Sequence, residues 1–221
     1  MREIISYWQT SPNLVGWWRF NERQGTILND YSYHFNSGYI SGLASTAWNS
    51  AGGLNLDSNL ITNIQLSNFN YLNNITIISV PMTINCWINP ATISSLQTLF
   101  GDFSAGAGTF VFQLSSANFQ VAYDFEGYKV LTSATNLSAG NLYMLTSTYD
   151  ENNIRLYING IEDPNSPLNS PNGFMNAAPP IFIGCRTDLS YPYSGYLSDM
   201  RVYNIALQSG QINALYKQGP A

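Results

Sequence analysis

The chain has 221 residues, 45% of them hydrophobic, enough for a substantial core, and only 10% Asp, Glu, Lys or Arg against roughly 25% in a typical soluble protein. A net charge of −5 with eight scattered Lys and Arg leaves no basic footprint and excludes nucleic acid as a partner. The stretch Met1 to Pro12 holds Glu3 and no apolar run, and no segment reaches the ~18 apolar residues of a membrane helix. Neither a secretory signal nor membrane insertion is expected.

Residues 1–13 read as a polar lead-in and residues 14–221 as one domain. The first strand is Leu14-Val-Gly-Trp-Trp-Arg-Phe20, ended by the turn Asn21 to Gly25. A polar loop, Asn29 to Gly38, has Asn and Asp side chains able to bond their own backbone, and it leads into Tyr39-Ile-Ser-Gly42. Gly53 to Asp57 alternates apolar and polar, as a strand with one buried face does. Ser58 to Val80 mixes Asn and Ile at no clean period and is expected to be a long connection with at most one short strand. Met82 to Ile88 puts Met82, Ile84, Cys86 and Ile88 on one face and Thr83, Asn85 and Trp87 on the other, between Pro81 and Pro90.

Four runs follow at sandwich spacing: Leu96–Phe103, Thr109–Leu114, Phe119–Phe125 and Tyr128–Thr132. Leu142–Tyr149 and Ile154–Ile158 form a hairpin, and Asn159-Gly160 is the pair a type I′ turn demands, because both central residues need φ > 0. Asp163 to Pro180 is a proline-rich loop, Pro180–Cys185 the penultimate strand and Asp188–Tyr193 a loop. The closing segment, Gly195 to Tyr216, reads as a nine-residue strand running into a short helix whose Leu207, Ile212, Leu215 and Tyr216 share a face. The pattern is an all-β, two-sheet antiparallel sandwich in which the last strand pairs with the first. Cys86 and Cys185 sit inside predicted strands and read as buried free thiols.

The order of signatures resembles the laminin-G-like branch of the concanavalin A-like jelly rolls. It rests on Leu14 through Glu22 with Gly25-Thr26, Asp30 through Gly38, and Met82-Thr-Ile-Asn-Cys-Trp-Ile88. It continues in Leu145 through Asp150, Ile154 through Gly160, Ile181-Phe-Ile-Gly184, Gly195 through Asn204 and Ala206 through Tyr216. The resemblance implies a jelly-roll topology with the first and last strands adjacent. Where such families begin the last helix with a Ser-x-x-Glu capping box, this chain has Gln208 and Gln211, a weaker cap in which Gln211 can still reach a backbone amide.

The resemblance also implies a structural Ca2+ between the loop after the first strand and the closing strand, with Asp30, Asn36 and Asp199 as matching ligands. The alternative is that Asp30 caps its own turn while Asp199 pairs with Arg201 or a backbone amide. Sugar binding, usual for such a sandwich, takes aromatic faces and hydrogen-bonding side chains, for which Tyr123, Asp124, Tyr128, Tyr191 and Tyr193 are the candidates. Trp17, Trp18 and Trp87 read as core.

No strand carries the closely spaced carboxylates of a jelly-roll glycosidase, Glu126, Glu151 and Glu162 lie beside turns, the single His34 lies in a polar loop, and neither Cys86 nor Cys185 has a local base. A non-catalytic domain binding glycan or glycoprotein through loops at one edge is the first expectation. The second is a structural or decorating subunit of a virion or appendage, in contact with other particle subunits and able to form homo-oligomers. Either reading places the chain outside the cell or on a particle surface.

Overall fold

The structure, a computed structural model, describes residues 11–44, 47–49, 52–66, 81–103, 110–124, 128–171 and 180–221. Its first strands are β1 (Leu14–Trp18), β2 (Ile27–Leu28), β3 (Gly38–Ser41), β4 (Leu54–Leu56) and β5 (Asn63–Leu66). The long central ones are β6 (Met82–Pro90), β7 (Leu96–Gly101), β8 (Phe110–Ser115), β9 (Asn118–Asp124) and β10 (Tyr128–Asn136). Then come β11 (Tyr143–Tyr149), β12 (Asn153–Ile158), β13 (Ile161–Glu162), β14 (Leu168–Asn169), β15 (Ile181–Ile183) and β16 (Gly195–Tyr203), followed by the helix α1 (Ser209–Gln218).

They form two antiparallel sheets of eight strands each. The first runs β1-β16-β6-β11-β12-β13, with β4 on β16 and β14 on β12; the second runs β10-β9-β8-β7-β15-β5-β3-β2. The first and last strands are neighbours, Leu14 opposite Tyr203 and Trp18 opposite Met200. The expected closure of the chain ends in one sheet is therefore observed.

Period-two alternation decides which side chains enter the space between the sheets. From β6, Met82, Ile84, Cys86 and Ile88 join Phe100, Phe112, Val121, Leu145, Leu156 and Leu197 in the main core. Trp87 on the opposite face belongs to a second apolar cluster with Leu14, Trp17, Met144, Tyr157 and Tyr203, covered by Leu207, Ile212 and Leu215. The helix thus seals the outer face of the first sheet, and Tyr216 stacks on Trp87 with centroids 5.7 Å apart. At its start Gln208 N donates to Gln211 Oε1 at 2.6 Å, the reach-back expected of the weak cap.

The type I′ turn is present: Asn159 and Gly160 have φ of 53° and 78° and join β12 to β13. Three two-residue strands escaped the sequence reading, namely β2, β13 and β14, each too short to show a period. Ser58–Val80 contains the one short strand β5 within its described part, and its residues 67–80 lie outside the described residues. The closing strand is followed by five residues, 204–208, before α1, so strand and helix are joined by a short connection. Both cysteines are free and buried; burial pushes the Cys185 thiol to about 12 and raises Cys86 further still.

Candidate functional site

The loop after β1 meets the closing strand around Trp17. Asp30 Oδ1 accepts Trp17 N and Ser32 N, both at 2.8 Å, and its Oδ2 accepts Ser32 Oγ and Asn36 N, both at 2.7 Å. Asn36 is itself a tie, with Nδ2 donating to Val15 O and its carbonyl accepting Trp18 Nε1. One carboxylate therefore organises the whole turn from 30 to 36, as expected for an Asp in an Asx-type loop.

Asp199 lies at the bulge of β16 between Ser198 and Arg201, with φ of 44°. Its Oδ1 accepts Trp17 Nε1 at 2.7 Å and Arg201 Nε at 2.8 Å, while Oδ2 accepts Arg201 Nη2 at 2.7 Å and Ala221 N at 3.1 Å. Burial, which would lower the Arg201 pKa, is outweighed by this carboxylate, which raises it and keeps the guanidinium charged. These contacts are those of the hydrogen-bonding alternative to calcium. A calcium ion needs six to eight oxygens with free lone pairs directed at it, whereas every oxygen of Asp30 and Asp199 already faces N–H or O–H donors. The three residues do not fit the ion. Among the described residues no group of three His, Cys, Asp or Glu comes together to hold a metal.

The same place holds a second guanidinium. Arg19 lies 5.3 Å from the Trp17 ring centroid and 5.3 Å from that of Tyr31, and those two rings meet edge-on at 6.1 Å. Its Nε is buried without an acceptor. Tyr31, Tyr33 and Phe35 project from the Asp30 loop with 41%, 70% and 81% of their surface exposed.

Of the five sugar-binding candidates, the structure places one at the surface with its side chain described. Tyr191 is 44% exposed, and its ring is braced by Arg186, whose Cζ lies 4.4 Å from the Tyr191 centroid and 4.7 Å from that of Phe103. Arg186 Nη2 also donates to Gln113 Oε1 at 3.4 Å, and Gln113, Gln120 and Thr132 continue as a hydrogen-bonded ladder across β8, β9 and β10.

Tyr123 and Tyr193 are corrections to the sequence reading. At 1% and 0% exposure they are core, Tyr123 packed between Phe110 and Tyr149 and Tyr193 donating to Tyr196 O, so neither ring can stack on a sugar without opening the sandwich. Burial pushes the Tyr123 phenol up to about 12. Asp124 and Tyr128 are paired at the end of β9 and β10, and their side chains lie outside the described residues. The sequence reading missed Arg19 and Arg186. For Arg19 a signal existed, since Trp17 and Arg19 are two apart in an extended segment and so share a face.

Among the described residues the carboxylates Asp150, Glu151 and Glu162 do not assemble an acid–base pair. Glu126 lies outside the described residues, and Glu151 is exposed at the β11–β12 turn with φ of 74°. Glu162 and Asp150 both hold Arg155, at 3.6 and 2.5 Å, on the wall of a cleft of about 210 Å3 with Thr148, Tyr157 and Gln208. Burial alone would raise Asp150, but the bonds from Arg155 and the Asn153 and Asn152 amides outweigh it and hold the carboxyl below its usual range, the wrong direction for a general acid. Among the described residues no helix is long and apolar enough to cross a membrane.

Two eight-stranded sheets closed by the pairing of first and last strands, with a helix sealing one outer face, define a jelly-roll sandwich of the lectin type. The chain belongs to the concanavalin A-like lectin/glucanases superfamily, whose laminin-G-type family model matches residues 62–213. No curated protein sequence matches the chain. Among solved structures it is similar to domain 4 of AbnA, a GH43 extracellular arabinanase from Geobacillus stearothermophilus, in complex with arabinotriose. That match has a TM-score of 0.70 and 20% identity and covers 92% of this chain and 98% of that one. It is also similar to the binding domain of Paraclostridial Mosquitocidal Protein 1 (TM-score 0.71, 14% identity, 93% and 52% covered). The receptor-binding domain of the botulinum neurotoxin C/D mosaic serotype is a further match (0.67, 15%, 94% and 51%). The chain spans about half the length of these toxin domains, and identities this low establish the fold alone.

Proposed function

We infer that the protein is a non-catalytic recognition module that binds glycan, free or on a glycoprotein, through a loop edge of the sandwich. The observation that carries the reading is the Tyr191 ring, half exposed yet held in place by Arg186 between it and Phe103, with the Gln113 ladder alongside. A sugar presents an apolar C–H face and a rim of hydroxyls. A rigid aromatic face beside a guanidinium matches both, and the bracing reduces the ordering cost on binding. The arabinotriose-bound domain on the same fold supports sugar as the ligand class.

The test is a glycan array probed with the wild-type chain and with Tyr191→Ala. Binding that Tyr191→Ala removes, while its melting temperature stays within about a degree or two of wild type as for a surface substitution, is the expected result. Binding unchanged by the substitution would move the site away from this loop. A blank array, together with self-association in sedimentation, would instead bring forward the sandwich as a packing module of a larger particle.

A further inference from the structure

We propose that Arg19, framed by Trp17 and Tyr31, is a binding site for the carboxylate of an acidic sugar, separate from the Tyr191 surface. The observation behind it is a missing acceptor. Arg19 Nε is buried with no hydrogen-bond partner, and no carboxylate of the described residues pairs with the guanidinium. The two acids that bond Trp17 have nothing left to give: Asp30 is consumed by its own loop, and Asp199 by Arg201, Trp17 and Ala221, while Glu22 makes no ion pair among the described residues and spends its Oε1 on Asn29. A buried donor left unmade costs about 1–3 kcal/mol, so an oxygen arriving at Nε recovers that loss as well as adding a charge-assisted bond.

The geometry selects the kind of oxygen. Two rings at 5.3 Å fix the guanidinium plane before any ligand arrives, and a fixed fork recognises a planar, bidentate oxyanion. One guanidinium at this place, with net charge −5 on the chain around it, matches the one negative charge of a carboxylate better than the two of a phosphate monoester.

The surroundings favour sugar over acidic peptide as the bearer of that carboxylate. Tyr31 lies beside the fork, partly exposed, on a loop that Asp30 holds rigid and that also exposes Tyr33 and Phe35, an arrangement suited to the C–H face of a pyranose. An extended peptide added to the sheet would need a free strand edge. β1 is the edge strand of its sheet, but Asp30 and Tyr31 already occupy it: Trp17 N donates to Asp30 Oδ1, Tyr31 N donates to Trp17 O, and Trp18 bridges to Asp30. The inference borrows from the recognition reading only that the ligand is a saccharide, and it uses none of the residues of the Tyr191 surface.

The Arg19 Nε–H resonance reads this site directly. It is assigned by its loss in Arg19→Lys and followed in the folded wild-type chain during titration with sodium glucuronate, with glucose at equal concentration, and with an N-acetylated, C-amidated glutamate as the peptide-like acid. The expected result is a saturable shift with glucuronate, none with glucose, and binding at least about tenfold weaker for the blocked glutamate. Tyr33→Ala, a change at a 70% exposed side chain that leaves the fold intact, should weaken glucuronate about threefold to tenfold. No saturable shift with glucuronate, an equal shift with glucose, equal affinity for the blocked glutamate, or indifference to Tyr33→Ala would each overturn the proposal. A failed titration with a Tyr191-dependent array signal removes this site alone. A saturable titration with a blank array removes the Tyr191 reading alone.

Discussion

Arg201 and Arg19 both lean on the Trp17 indole, at 5.0 and 5.3 Å, yet they serve opposite purposes. Arg201 is 4% exposed and its Nε and Nη2 are answered by Asp199 two residues away, so its charge is locked into the wall under the helix side of the sheet. Arg19 has the same aromatic support and, among the described residues, no acid paired with it. A ring fixes where a guanidinium lies; whether that guanidinium is structure or receptor depends on whether the chain places a carboxylate at its fork.

The sharpest way to break this contrast is Asp199→Ala, which strands the buried Arg201 charge and should cost about 3–5 kcal/mol in thermal or denaturant unfolding. The loss should be the same in calcium and in chelator. A loss seen only in calcium would make Asp199 a metal ligand and end the comparison. Removing both partners in Asp199→Leu/Arg201→Met should be milder than Asp199→Ala alone, by about 1–4 kcal/mol, because no buried charge remains; a double variant as unstable as the single would show that packing, not charge, dominates.

Asp163 extends the comparison to a carboxylate occupied by neutral donors. Burial would raise its pKa, but the amides of Ala134, Asn165 and Thr135 outweigh that and hold it below the usual carboxylate range. An acid depressed in the folded state stabilises above its unfolded pKa of about 3.9, and that contribution is lost as pH falls through the folded pKa. Asp163→Asn should therefore cost about 1–3 kcal/mol near neutral pH, with the gap to wild type closing below about pH 4. A gap constant with pH would mean that the carboxylate charge plays no part. Smallest of all, Arg19→Gln should lower stability by no more than about 0.5 kcal/mol, the mark of a residue the fold does not use. A larger loss would class Arg19 with Arg201.

The strands were legible where alternation was long. Met82 to Ile88 separates the main core from the helix-covered cluster, as its period of two requires. The Asn159-Gly160 turn was legible because only a few residue types tolerate φ > 0 twice in succession. Site residues were harder. Tyr191 and Tyr193 look alike in the sequence, and two residues apart in a loop they end at 44% and 0% exposure. A loop has no period, so nothing local says which ring turns inward. Arg19 was readable only as a neighbour of Trp17, because the absence of an acid at its fork is a property of the assembled sheet.

The pairing of β1 with β16 also has a consequence in time. Leu14 meets Tyr203, so during synthesis at 5–20 residues per second the first strand waits roughly 10–40 s for its partner to be made. In the last part of that wait, between the making of β11 and of β16, β6 can pair with β11 while its other edge stays open, since only β16 covers it. The nascent chain thus carries an unpaired nine-residue edge that a second nascent chain could zip onto.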